Sequence, residues 1–318
     1  MSQYWYRAFG LLIQSELELP IPQSDPGAAP ADVYIRLGSV DPTRSAQFSQ
    51  KGSILRAGPD EICCQAESAA RILVRGGGTE MIVDPLPGTP LEVAATWVQG
   101  AGLSLMLHQR GYLVLHASAV SVDGVAICFV GDVGKGKSTT AAAVSERGNP
   151  LLCDDLAAAR VTSDGKATCI RPGIPHLKLT DQSLAFLHED AVAHTQVAGD
   201  EEKRVRISRA QISTEPIELA AIYILDWADE LSIEPLSQQT AMIEMMRHAF
   251  VARHSGFLRI TGTDQAHFKN CTDVVKSAAV CWLKRPKCFE QLPQVAERVE
   301  QHARRLAQMK PSSRPGAR

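Results

Sequence analysis

Up to about residue 84 the apolar positions fall in short runs, at 6–13, 33–37, 62–65, 72–74 and 81–83. A loop over 20–30 and the triplet Gly76, Gly77 and Gly78 cut them apart. Short apolar runs bounded by turn residues predict strands. Residues 85–90 read as a linker, and the period then changes. From 91 to 110, Val93, Trp97, Leu103, Leu105 and Met106 recur at helical spacing, with Gly111 placed as a cap. The runs 112–122 and 125–130 flank Asp123 and Gly124, a strong short-range hairpin signal. With a two-residue turn, Val122 faces Val125, and counting back along the ladder sets His116 opposite Gly131. Residues 138–147 are rich in Ala and Thr and predict a helix, with Gly148 at the cap and Pro150 blocking continuation.

The next apolar run, from Pro150, ends in Asp154 and Asp155. A short return through a helix makes this strand parallel to 125–130, so both end on the same edge of the sheet. Further on, 167–170 predicts a strand and 181–187 a short helix capped by Thr180. Lys203, Arg204, Val205, Arg206 and Ile207 alternate basic and apolar, which reads as an edge strand. The run 219–225 predicts a buried strand, 240–253 and 264–277 helices, 279–283 a strand and 292–309 a terminal helix. Residues 310–318 are rich in Pro, Ser and Arg and read as disordered. The fold class expected is α/β: a β-rich N-terminal module over 1–88, a P-loop domain over 89–309 and a tail over 310–318.

Composition changes this picture little. A chain of 318 residues is ample for a real core. Its formal net charge of -2 gives no bulk attraction to nucleic acid or to an anionic membrane, so neither is expected as a partner. The eight cysteines contain no C-x-x-C pair and no zinc spacing, which fits reduced thiols in a cytoplasmic protein. No basic-then-apolar leader and no run of membrane-spanning length is evident.

The chemistry sits between the predicted strand and helix. Gly131, Asp132, Val133, Gly134, Lys135, Gly136, Lys137 and Ser138 fit G-x-x-x-x-G-K-[ST], the phosphate-binding loop. Glycines let backbone N–H groups turn in on a triphosphate. Lys137 would reach the β- and γ-phosphates, and Ser138 would ligate Mg²⁺ with Thr139 beside it. An apolar run ending in Asp is where such an enzyme keeps its metal-linked carboxylate. Two adjacent carboxylates suit a division of labour, one on Mg²⁺ through water and one taking the proton of an attacking hydroxyl. His116 is placed either to polarise a phosphate oxygen or to orient a carboxylate.

Leu115-His116-Ala117, the Gly131 loop and Cys153-Asp154-Asp155 together resemble the catalytic domain of HPr kinase/phosphorylase, whose fold is shared with phosphoenolpyruvate carboxykinase. The resemblance is specific over residues 112–161. It implies that His116 is the active-site histidine, Asp154 the proton-transferring carboxylate and Asp155 the Mg²⁺-linked one. The chain departs from that family in carrying Thr139 where a Glu is usual, and in its first ninety residues. Its layout is more similar to shorter HPr-kinase-like enzymes, including kinases of lasso-peptide precursors. The expected function is an ATP- and Mg²⁺-dependent serine kinase acting on a peptide or protein. Alternatives left open are a small-molecule kinase, HPr kinase/phosphorylase proper and a non-catalytic nucleotide-gated regulator. The family's ring assemblies make a homo-oligomer an expectation as well.

Overall fold

Alternating buried and exposed positions turn the first part of the chain into a seven-stranded sheet. The computed structural model describes residues 3–46, 53–66, 69–162, 168–174, 176–191, 194–198, 200–207, 215–251 and 256–309. The predicted tail at 310–318 lies outside them. The first sheet comprises β1 (Tyr4–Ala8), β2 (Leu11–Ser15), β3 (Val33–Leu37), β4 (Ile54–Ala57), β5 (Glu61–Ala66), β6 (Ala70–Arg75) and β7 (Glu80–Pro85), in the order β1-β2-β3-β7-β6-β5-β4. The predicted single strand over 6–13 is instead a hairpin. Phe9 and Gly10 both take positive φ, 56° and 71°, and fold the chain back. Phe9 is a poor residue for that conformation. Its ring is held against Gly173, where even a Cβ would come within 2.5 Å of Cε1, and its N–H donates to Pro172 O at 2.8 Å.

The predicted helix over 91–110 forms as α1 (Leu91–Trp97) and α2 (Leu103–Gln109), joined by a π-helical turn over Val98–Gly102. This turn lies on the first sheet, and a Cβ on Gly102 would sit 2.9 Å from Met81 Sδ. Gly111 follows with φ 82°, as a capping glycine should.

The second sheet carries the glycine-rich loop over residues 131–136. It contains β8 (Leu113–Leu115), β9 (Ala117–Val122), β10 (Val125–Val130), β11 (Leu151–Cys153), β12 (Ala157–Val161) and β13 (Thr168–Arg171). The Asp123-Gly124 hairpin forms as predicted, with φ of 48° and 82° and an unshifted register from Val122↔Val125 to Ala117↔Val130. The predicted continuous strand breaks at His116. Before it, β8 pairs with β12; after it, β9 pairs with β10 and β11. The His116 N–H leaves the ladder and donates to His248 O at 3.2 Å. The chain changes neighbours at this residue, which a period-2 pattern does not reveal.

Three strands form a separate sheet in the order β14-β16-β15: β14 (His176–Thr180), β15 (Thr195–Val197) and β16 (Asp200–Ile207). The basic alternating segment therefore lies in the middle of this sheet and not at an edge. Its polar faces are covered by ion pairs, Arg204 to Asp181 and Arg206 to Glu146 and Glu189, which make a charged strand tolerable between two others. Between β14 and β15, α4 (Asp181–Phe186) is capped by the Thr180 side chain accepting from Ser183 N, as predicted.

The long buried strand β17 (Ile217–Trp227) is parallel to β10 on one side. On the other it meets β13 at its start and β19 (Ala279–Arg285) further along, with β18 (Ser232–Pro235) outside β19. The helices α5 (Gln238–His248), α6 (Phe257–Ile260), α7 (Asp264–Ser277) and α8 (Leu292–Met309) complete the chain. α7 and α8 have the predicted bounds. Among described residues, no helix is long and apolar enough to cross a membrane. The architecture is mixed α/β. One apolar cluster runs from Ile13, Ile72 and Met81 of the first sheet through Leu103 and Met106 to Ala158 of β12, with Leu156 just before that strand and Ile174 between β13 and β14.

Candidate active site

Two strands end at the same edge because of how β9 is used. β11 is antiparallel to β9, and β9 is antiparallel to β10, so β11 and β10 point the same way with β9 between them. The phosphate loop leaves the end of β10 and Asp154 and Asp155 leave the end of β11, as the crossover argument expects.

The loop is shaped by glycines at the positions where side chains would be strained. Gly134 and Gly136 have φ of 82° and 77°. A Cβ on Gly136 would meet Arg285 Nη2 at 2.8 Å. α3 (Lys137–Ser145) starts directly after Gly136. The Lys137 ammonium curls back over the loop and donates to Gly131 O at 2.9 Å and to Asp132 O at 3.4 Å. It is 8% exposed, and burial lowers its pKa against the pull of Asp155 and Asp154. The loop's other side chains point outward. Val133 is 89% exposed at the tip, Asp132 pairs with Arg247 at 2.8 Å, and Lys135 pairs with Asp226 at 2.5 Å. Of these three, Val133 lines the cavity described below. Thr139 turns its hydroxyl to Ser183 Oγ at 3.0 Å.

Arg285, at the end of β19, braces this loop. Its Nη2 donates to Lys135 O at 2.8 Å and to Thr140 Oγ1 at 2.9 Å, while the guanidinium lies 4.4 Å from the Trp227 ring centroid. Burial pushes its pKa down to about 10. Buried hydrogen bonds from a charged group contribute about 1.5–3 kcal/mol. Arg285→Ala is therefore expected to lower the melting temperature and to weaken Mg-ATP binding about tenfold. Thermal denaturation and calorimetric titration check this. Unchanged nucleotide affinity would show that the brace does not shape the loop.

The two aspartates diverge at a strained turn. Asp155 has φ 65°, and the Leu156 N–H donates back to Asp154 O at 2.8 Å. An i to i+2 bond around a residue at positive φ is a rare, tight turn. Asp154 points inward and is 7% exposed. Its Oδ1 accepts from Ser138 Oγ at 3.0 Å and from Ser118 Oγ at 2.5 Å, and its Oδ2 accepts from Lys178 N at 2.9 Å. Burial, and then the charge of Asp155, push its pKa up against those three bonds. Asp155 points the other way and pairs with Lys178 Nζ at 2.9 Å. Burial pushes its carboxyl up, but Lys178 and His116 outweigh that and hold it below the usual carboxylate range. The family resemblance gives Mg²⁺ to Asp155, yet Asp154 is the carboxylate bonded to the loop serine.

His116 lies beside this pair, its Nδ1 3.1 Å from Asp155 O. The ladder count sets it one step beyond the last β9–β10 pair, at the level of Gly131, although it no longer pairs there. Lys178 is carried by β14, whose start is fastened to the π-helical turn: Gln99 Nε2 lies 2.8 Å from His176 Nε2. Burial depresses His176 to about 4, so this contact holds a neutral ring.

A cavity of about 480 Å³ is lined by Gly134, Gly136, Lys137, Ser138, Thr139, His116, Asp155, Lys178, Lys203, Trp227, Arg285 and Phe289. A second, of about 630 Å³, lies against it and shares four lining residues: His116, Asp155, Lys178 and Lys203. Sequence reasoning singled out the first two, read Lys203 only as part of a basic alternating segment, and missed Lys178, Ser118 and Arg285. The lysines alternate with apolar residues in their strands, but nothing in that alternation says which cavity a strand borders.

Among described residues no group of three or more His, Cys, Asp or Glu side chains is placed to hold a metal. Mg²⁺ does not need one. It takes one or two protein oxygens, substrate phosphates and water. The Ser138 hydroxyl, which lines this cavity, and the Asp154 carboxylate bonded to it are a donor set of that kind.

No protein-family model matches the chain. No curated protein matches it. Among solved structures, it is similar to the HPr(Ser) kinase/phosphatase from Coxiella burnetii, at 12% identity and a TM-score of 0.32, over 61% of this chain and 98% of that one. So distant a likeness carries no argument about activity.

Proposed function

We propose that the chain is an ATP- and Mg²⁺-dependent kinase of the HPr-kinase-like type that phosphorylates a serine hydroxyl of a peptide or protein. The observation that carries this is the shared wall. His116, Asp155, Lys178 and Lys203 stand between the phosphate-loop cavity and a second cavity. Phosphoryl transfer requires donor and acceptor to meet in line, with cations on the transferred group and a base on the attacking hydroxyl. A wall made of two lysines, a carboxylate and an imidazole between two cavities has that composition.

In this reading Lys137 and the loop amides hold the β- and γ-phosphates. Ser138 and Asp154 would hold Mg²⁺, although the Asp154 oxygens already accept three hydrogen bonds. Bound there, Mg²⁺ would neutralise charge on the phosphates. Asp155 accepts the proton of the acceptor hydroxyl, and His116 fixes the turn that aims it. Lys178 neutralises Asp155 in the resting site and is placed to move its charge to the incoming phosphoryl group. This exchanges the two aspartate roles that the family resemblance implies.

His116→Ala is expected to lower single-turnover phosphorylation roughly 100-fold, the effect of misplacing the carboxylate it aims, with little change in Mg-ATP affinity. Single-turnover kinetics beside calorimetric titration read the two quantities separately. A loss confined to nucleotide affinity would remove His116 from the acceptor side. The reading as a whole is tested by offering serine peptides with Mg-ATP and looking for phosphoserine by mass spectrometry. ATP binding with no phosphorylated product would favour a nucleotide-gated regulator instead.

A further inference from the structure

The second cavity is not built by the P-loop domain alone. Its far wall comes from the N-terminal sheet, through Ile54 of β4 and Ala66 of β5, and from Trp97, Ala101 and Leu105 on the helical segment that follows. Phe250, just beyond α5, also lines it. The charged residues of its lining are the four at the shared wall and Asp200, which is paired with Lys203 at 3.5 Å. Away from that wall the cavity is therefore apolar with a few neutral polar groups. Such a pocket opening onto a reactive cluster is the usual form of a site that grips the unreactive part of a substrate.

We propose that this cavity is the acceptor site, and that it selects a peptide serine flanked by a bulky apolar residue, with the N-terminal sheet supplying the specificity. The inference rests on the kinase reading for the place of the hydroxyl, at the His116 and Asp155 wall. What it adds is the chemistry beside that hydroxyl. A phosphate-loop cavity on the other side of the wall already has room and donors for a nucleotide, so the apolar cavity remains for the acceptor. Its volume, about 630 Å³, exceeds what a serine side chain alone needs. Apolar walls reward an aromatic or branched neighbour and penalise a charged one, which would lose its water without gaining a partner. The π-helical turn joins the two functions physically. Gln99 within it fastens β14, the strand that carries Lys178, while Ala101 of the same turn lines the cavity.

The test uses the full chain and three synthetic probes, acetyl-Gly-Xaa-Ser-Xaa-Gly-amide with Xaa as Phe, Ala or Glu. Binding is measured calorimetrically in the presence of Mg²⁺ and a non-hydrolysable ATP analogue, and phosphorylation is measured separately with ATP. The Phe probe is expected to bind at least tenfold more tightly than the Ala probe, and the Glu probe more weakly than either. Ala101→Trp, which fills the cavity from the helical side, is expected to abolish that preference, with Mg-ATP affinity as the check that the variant is folded. Should it fail that check, Phe250→Ala, which removes a wall, is expected to cut the Phe-over-Ala ratio at least threefold. Equal binding of the three probes, or no binding of any, overturns the proposal. Transfer to all three probes alike would keep the kinase and remove the apolar site; tight Phe-probe binding without transfer would do the reverse.

Discussion

Replacing Lys137 by alanine is expected to weaken Mg-ATP binding by roughly 100-fold while leaving the fold intact. The ammonium sits inside the curve of the loop, bonded to the carbonyl oxygens of Gly131 and Asp132. In the proposed reading those oxygens are weak substitutes for the phosphate oxygens of a bound nucleotide. Hydrogen bonds to charged partners contribute about 1.5–3 kcal/mol each, so the loss of one or two such contacts with phosphate gives that factor. The fold should not suffer in proportion. Burial depresses the Lys137 pKa, so the folded protein holds this charge at a cost, and removing it relieves that cost. Calorimetric titration with Mg-ATP, beside thermal denaturation, separates the two effects. Wild-type affinity in a well-folded variant would end the phosphate-loop assignment.

The second large effect is expected to be a split between neighbours. Asp154→Asn should raise the Mg²⁺ concentration needed for ATP binding and also destabilise the protein, because one amide nitrogen would then face hydroxyl and backbone donors that need an acceptor. Asp154 serves three of them: Ser118, Ser138 and the Lys178 N–H. Leaving such a buried group unsatisfied costs about 1–3 kcal/mol. Asp155→Asn should instead lower single-turnover phosphorylation by roughly 10²–10⁴ with Mg-ATP affinity nearly unchanged, since its carboxylate faces Lys178 and the shared wall. The paired measurement is the Mg²⁺ dependence of ATP binding and the single-turnover rate with an accepted peptide, for both variants. A metal defect that follows Asp155 would restore the roles implied by the family resemblance.

How much of this was legible in the sequence depends on how far apart the cooperating residues lie. The loop, its strand, its helix and the Asp pair sit close together in the chain, and each obeys a local rule: glycines where φ is positive, Asp-Gly at the hairpin, a cap at Gly148 with φ 90°. The hairpin count reached Ala117↔Val130 without error. What escaped is non-local. Ser118 meets Asp154 across 36 residues, and Arg285 meets Thr140 across 145. Lys178 lies in β14, which the elements expected from the sequence do not include, yet it supplies both a backbone donor to Asp154 and an ammonium to Asp155. The basic strand reads as an edge because its partners β14 and β15 are short and lack the apolar run that would announce them. The break at His116 is invisible to the pattern because the residues on both sides of it are equally buried.

The central claim is that a phosphoryl group crosses the wall formed by His116, Asp155, Lys178 and Lys203. It is tested most directly by incubating the full chain with Mg²⁺, ATP labelled in its γ-phosphoryl group and a panel of serine peptides. Mass spectrometry then locates the label. The expected result is label on a serine oxygen, lost in the Lys137→Ala variant and in peptides with alanine in place of serine. Label released only as inorganic phosphate, or label on peptide that is undiminished by Lys137→Ala, would contradict it.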